Sequence, residues 1–203
     1  MDGAPPAGKA DSGHVVLDAL LRRASTPPRL MDEPAPDDAA LAQMFAAATR
    51  VPDHAALRPW RFHVIRGDAR FALGELFVEA LRRRSPNPEA RDEVKERSRP
   101  LRAPLIVAVC AEIVPDNAKA PPVEQIATAS AAVQTLILAA DALGYGAIWL
   151  TGANARDPGV KAAFGLADKD EIVGFVYMGT VTGLGPEKPR PDPADYVCEW
   201  TGE

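Results

Sequence analysis

Ala103-Pro-Leu-Ile-Val-Ala-Val-Cys-Ala111 is apolar almost without interruption and carries several β-branched side chains. That is the pattern of a strand buried on both faces, since a strand with one wet side alternates. Such a strand belongs in the middle of a sheet and needs helices above and below it. Downstream, Val123 to Leu143 is apolar around most of its circumference, so this helix must lie deep or be covered at a subunit interface. Upstream, Trp60-Arg-Phe-His-Val-Ile65 alternates large and polar residues as a half-buried strand does, and Gly67-Asp68 closes it. Ala147-Ile-Trp149 and Glu171 to Thr180 read as two further strands.

The remaining helices are placed by their stops. Val15 to Arg23 is a short amphipathic segment with cations in its last turn and Pro27-Pro28 beyond it. A second helix starts at Asp37 or Asp38 and runs to about Arg50, where Pro52 forces its end. Ala69 to about Arg84 and Asp157 to Phe164 are two more. The succession of helices and strands gives an α+β class with a central sheet.

At 203 residues the chain is long enough for one full core and too short for two. We expect residues 1–13, rich in Ala, Gly, Pro and Asp, to form a disordered tail, and residues 14–203 to form a single domain. Within it, 82–102 shifts to charge around Ser85-Pro-Asn-Pro88 and reads as a mobile lid or insertion. A net charge of −5 gives no general attraction to nucleic acid. Arg82-Arg-Arg84 is soon interleaved with Glu89, Asp92, Glu93 and Glu96, as on a solvated helix. Two cysteines without short spacing indicate neither a disulfide framework nor a metal cage, and fit a reducing cytoplasm. The N-terminus lacks a signal peptide's basic start and apolar run, and no segment reads as a bilayer span.

Three segments carry groups suited to a planar, anionic ligand. Arg23-Ala-Ser25 follows a helix end, where a guanidinium fork and a hydroxyl can bind phosphate oxygens; the plainer alternative is a solvated arginine beside a turn. Lys188 and Arg190 can add positive charge. Arg50 and His54 flank the rigid Pro52, so that both side chains can be aimed at one spot, although Asp53 and His54 can equally serve as a turn cap and a backbone partner. Leu143-Gly-Tyr-Gly-Ala-Ile-Trp-Leu-Thr-Gly152 offers glycines that admit close approach of a ring; a helix C-cap alone explains Gly144 and Gly146. Together the three point to flavin. Gly-x-Ser-x-Gly, Gly-Lys-Ser/Thr and Gly-x-Gly-x-x-Gly signatures are absent, and three scattered histidines do not make a metal centre.

In order along the chain, Arg23-Ala-Ser-Thr-Pro27, Glu33-Pro-Ala-Pro36, Arg50-Val-Pro-Asp-His54, Arg58-Pro-Trp-Arg-Phe62, Arg102-Ala-Pro-Leu-Ile-Val107, Glu124-Gln125, Gly144-Tyr-Gly-Ala-Ile-Trp149 and Ile172 to Thr180 resemble the nitroreductase family, in particular its small bacterial subgroup with Pro-Asp-His. The resemblance implies a central mixed, mainly antiparallel sheet flanked by helices in an intertwined homodimer. It also implies FMN at the subunit interface, with NAD(P)H as co-substrate. Hydride would pass through FMN to nitroaromatic, quinone or similar small-molecule acceptors by a ping-pong mechanism. Carried over by motif, Arg23, Ala24 and Ser25 match the flavin-phosphate segment, Arg50 and His54 the next flavin contacts, and Trp149, Leu150 and Thr151 the loop along the ring. Ala24 stands where Arg is commoner, and Leu150 and Thr151 stand where close relatives have Arg and Ser. Ala139 to Gly144 matches a stretch assigned to the nicotinamide dinucleotide. No side chain is implied as a nucleophile or obligatory base, since the cofactor carries the chemistry. The same fold could serve flavin breakdown, dehalogenation or enoate reduction, or hold FMN without turnover.

Overall fold

The computed structural model describes residues 14–183, 185 and 189–202, so the expected tail at 1–13 and Lys188 lie outside the described residues. All seven residues of β3 (Leu105–Ala111) are buried. Their side chains alternate between two cores. Leu105, Val107, Val109 and Ala111 pack with α2 (Asp38–Ala48) and α5 (Pro122–Ala142), while Ile106, Ala108 and Cys110 pack with α3 (Ala69–Arg84) and α6 (Pro158–Ala163). The result is three layers, helices on both faces of one sheet, and the central position expected for this strand is the observed one.

β3 pairs with β2 (Trp60–Arg66) on one side and with β5 (Glu171–Val181) on the other. β4 (Tyr145–Leu150) lines the far edge of β5, and β1 (Met31–Asp32) adds two residues to β5 beyond the end of β3. Every one of these pairings is antiparallel. The mainly antiparallel character is as expected; the mixed character is not seen among the described residues. β1 escapes sequence reading because two residues are too few to display a period of two. α1 (Val15–Arg22) forms where expected, yet it buries no residue, and Val15, Val16 and Leu21 stand exposed.

α5 is long and apolar enough to cross a membrane by length and composition. The apolar content has a local use, because Ala129, Val133, Leu136, Ile137 and Ala140 sit in the core against the sheet. Cys110 lies in the other core, and its burial pushes the thiol up to about 12.

Residues 82–102, expected as a mobile lid or insertion, take in the end of α3, α4 (Ala90–Ser98) and a 3-10 turn at Arg99–Arg102. Gly74 on α3 lets the two backbones touch, since a Cβ there would lie 2.4 Å from the Arg97 carbonyl oxygen. Glu96 is buried and meets Arg99 at 2.9 Å and Arg84 at 3.3 Å, and it accepts a hydrogen bond from Asn154 Nδ2 at 2.7 Å. Arg82 makes a two-pronged pair with Glu93, and Arg97 pairs with Glu75. The charge that sets this stretch apart in the sequence is spent on tying it to α3 and to the loop after β4.

Two further carboxylates hold loops to the core. Asp157 caps α6 by accepting from the Val160 N–H at 3.0 Å and takes Arg83 Nη2 at 2.6 Å. Asp170 accepts from the Ile113 and Ala167 N–H groups at 2.8 and 2.9 Å. Burial alone would raise both carboxyls, but for Asp157 the Arg83 and Val160 donors and for Asp170 the two backbone donors outweigh it, and both are held below the usual value of 3.8. A carboxyl depressed in the fold binds fewer protons there than in the unfolded chain, so it stabilises fully above the unfolded value and loses that contribution as pH falls through the folded one. Urea midpoints measured against pH should therefore drop on the acid side below about pH 4, and Asp170→Asn should flatten that limb. A limb as steep in the variant as in the parent rejects the assignment.

Candidate functional site

The chain leaves α1 extended at Arg23 and runs to Pro27. The Thr26 N–H donates to the Ala147 carbonyl at 3.0 Å, which lays Arg23-Ala-Ser25 beside β4. Gly146 makes this possible: a Cβ there would meet Thr26 and Val181 side-chain carbons at 2.9–3.0 Å. Gly144, at φ +84, is the left-handed end of the helix, so a cap explains only the first of these two glycines. Arg190 Nη2 donates to the Arg23 carbonyl at 2.9 Å, a positioning contact made to backbone.

Trp149, one residue before the end of β4, occupies a seat that the sequence does not announce. Between the pairs Val109–Gly174 and Cys110–Ile172 the ladder skips Val173, a bulge that leaves one residue of β5 unpaired. The freed Val173 carbonyl accepts from Trp149 Nε1 at 3.1 Å. Gly174 supplies the room, since a Cβ there would lie 2.1 Å from Nε1. Leu150 turns to the opposite core, against α3 and α6, and Thr151 is exposed ahead of Gly152, whose φ of +105 redirects the chain. Trp149 and Thr151 line a cavity of about 290 Å³ with Ile126, Ser130, Arg156 and Glu171.

The third segment is strained. Ala55, Ala56 and Arg58 all have positive φ, at 64°, 52° and 51°. Non-glycine residues hold that conformation only where their surroundings impose it. Asp53 does so in part, its Oδ2 accepting from the Arg58 N–H at 2.7 Å. His54 Nδ1 lies 2.8 Å from Glu124 Oε2 in the first turn of α5, so its partner is a carboxylate and not backbone. Arg50 lines a different cavity, of about 410 Å³, with Ala46, Thr49, Arg58 and Trp60. The expectation that Arg50 and His54 converge on one spot is thus not met within one chain.

Charge pairing sorts the arginines. Arg22, Arg61, Arg66, Arg82, Arg83, Arg84, Arg91, Arg97 and Arg99 each meet a carboxylate. Among the described residues, the side chains of Arg23, Arg29, Arg50, Arg58 and Arg156 make no hydrogen bond or ion pair to the protein. Sequence reasoning singled out Arg23 and Arg50 and gave Arg58 only as part of Arg58-Pro-Trp-Arg-Phe62. Arg29 and Arg156 read as ordinary cations in loops. Ala139 to Gly144 forms the last turn of α5 and its cap, with Ala140 in the core.

The model of the Nitroreductase family matches residues 20–180. “Putative NAD(P)H nitroreductase YdjA” of Escherichia coli K12 is 38% identical over 182 residues, covering 89% of this chain and 97% of its own. Among solved structures, a nitroreductase-like family protein from Bacillus cereus superposes with a TM-score of 0.78 at 20% identity, covering 98% of this chain and 100% of its own. A Desulfovibrio desulfuricans protein solved in complex with FMN gives 0.68 at 26%, over 91% and 96%.

The seat of Trp149 is testable without ligand. Gly174→Ala should force the indole off the Val173 carbonyl and cost on the order of 1–3 kcal/mol, as overpacking does. In a Trp60→Phe, Trp200→Phe background the remaining tryptophan emission should shift in the Gly174→Ala protein. Unchanged emission with unchanged thermal stability would sink the account.

Proposed function

The chain belongs to the nitroreductase family, and from that premise we propose that it is an FMN-dependent NAD(P)H oxidoreductase reducing nitroaromatic, quinone or similar acceptors in a ping-pong sequence. The observation that carries this reading is the docking of Arg23–Ser25 beside β4, one strand turn from Trp149 and Thr151. An unpartnered guanidinium, a half-buried hydroxyl and an apolar wall there suit a phosphorylated, planar ligand. The FMN-bound relative supports the choice of flavin. FMN, when bound, accepts a hydride from NAD(P)H and passes it to the acceptor.

In this reading Arg23 and Ser25 donate to the phosphate, with Ala24 between them contributing backbone. Trp149, Leu150 and Thr151 form the wall along the ring, and Arg50 and His54 complete the site. Geometry bears on which copy supplies which group. Arg22 pairs with Asp141 at one end of α5 and His54 with Glu124 at the other. With ~1.5 Å of rise per residue, that stretch of helix is roughly 25 Å long. A single flavin does not reach from Arg23 to His54 of one chain. A second copy brings His54 and Arg50 to the Arg23 end, and a two-fold axis makes both sites alike. The exposed apolar residues Val15, Val16 and Leu21 of α1, and Tyr196, Val197 and Trp200 near the C-terminus, are surface that such a homodimer would cover.

Purified protein should be yellow, and NADPH added without oxygen should bleach the flavin band; a bound but unbleached flavin would favour a module without turnover. Arg23→Ala and Ser25→Ala should each weaken FMN retention by about tenfold, the worth of one charge-assisted bond. Retention unchanged in both refutes their assignment.

The shared site makes a sharper test. Arg23→Ala and His54→Ala chains, each poor alone, should regain activity when co-expressed and reassembled, because a mixed dimer holds one site with both residues native, or about one site in four overall. No regain in a preparation shown to contain mixed dimers assigns both residues to one chain.

A further inference from the structure

The cavity between the end of α2 and the start of β2 carries two cations, and nothing so far accounts for the second. Arg50 and Arg58 line it with Ala46, Thr49 and Trp60, and among the described residues no acidic side chain does. Both guanidiniums lack a protein partner among the described residues, in a chain whose other arginines mostly meet carboxylates. Arg58 is held at φ +51 by the bond from its N–H to Asp53 Oδ2, so a carboxylate is used to aim its backbone while its side chain stays unneutralised. Strain retained at such a position is a mark of function.

The opposing term is the negative end of α2, which points toward this cavity. Its carbonyls are largely used: Thr49 Oγ1 donates to Phe45 and Ala46, and the Arg50 N–H to Ala47. A helix end carries roughly half a charge, against two full positive charges here, so the cavity remains cationic. Two forks with five donors each match the three oxygens of a terminal phosphate better than one ring carbonyl or one carboxylate.

We propose that Arg58, with Arg50, forms a phosphomonoester subsite. This rests on the flavoprotein reading for its physiological ligand and not for its chemistry. Two molecules in the proposed reaction carry that group, the ribityl phosphate of FMN presented by the partner copy and the 2′-phosphate of NADPH, and the subsite binds one of them.

Arg58→Asn removes the charge while keeping a residue that tolerates positive φ, and Arg58→Lys keeps the charge and loses the fork. For apoprotein, dissociation constants are measured for FMN and for riboflavin; for holoprotein, KM for NADPH and for NADH. Loss of about tenfold or more in FMN affinity with riboflavin unchanged identifies the flavin phosphate, and the same loss for NADPH with NADH unchanged identifies the dinucleotide phosphate. Lys should recover part of either loss. Equal losses for the phosphorylated and unphosphorylated member of each pair, or no loss in any, overturns the proposal. Should the parent protein neither take up FMN nor oxidise NAD(P)H, the flavoprotein reading fails separately. The subsite is then decided by titrating inorganic phosphate, which the parent should bind and Arg58→Asn should not.

Discussion

The β3–β5 ladder is the constraint on which the rest of the structure depends. A strand buried on both sides leaves no polar backbone group to water, so its register with β5 must be complete wherever it can be. The one lapse is at Val173, and it falls beside Trp149. The unpaired carbonyl is satisfied by an indole N–H, which points Trp149 and, with it, the end of β4. The same register that fills two cores thereby places the wall of the cavity.

Most of the scaffold was legible in residues 103–111 and in the helix stops, because burial on two faces and proline at a helix end leave strong local marks. The site was legible only in pieces. Arg23, Arg50 and His54 could be picked out as chemically apt, but nothing in their spacing reveals that Arg22, next to Arg23, and His54 pair with opposite ends of α5. Gly146 and Gly174 each have a reason that depends on a partner distant in sequence, Thr26 in one case and Trp149 in the other. The contacts of the 82–102 segment were illegible for another reason. Charge density reads as solvation when the partners are unknown, and here Glu96 is buried among Arg84, Arg99 and Asn154.

Charge pairing explains why one basic residue is structural and the next is not. Where α3, α4 and the loop after β4 meet, Arg82, Arg83, Arg84, Arg97 and Arg99 each have a carboxylate, and removal of either partner would strand the other in a partly dry setting. Arg23, Arg29, Arg50, Arg58 and Arg156 are left without a carboxylate, in the segments that follow α1, α2 and β4. Composition alone, with its net negative sum, hides this local inversion of sign.

The position of Cys110 has a consequence for durability. With its proton held to about pH 12, that sulfur is scarcely ever a thiolate in neutral solution, and thiolates are what peroxides attack. Reduced flavins that meet oxygen generate peroxide, so a catalyst of this type gains from a core that offers it no nucleophile. Cys198, exposed near the C-terminus, has no such burial around its sulfur.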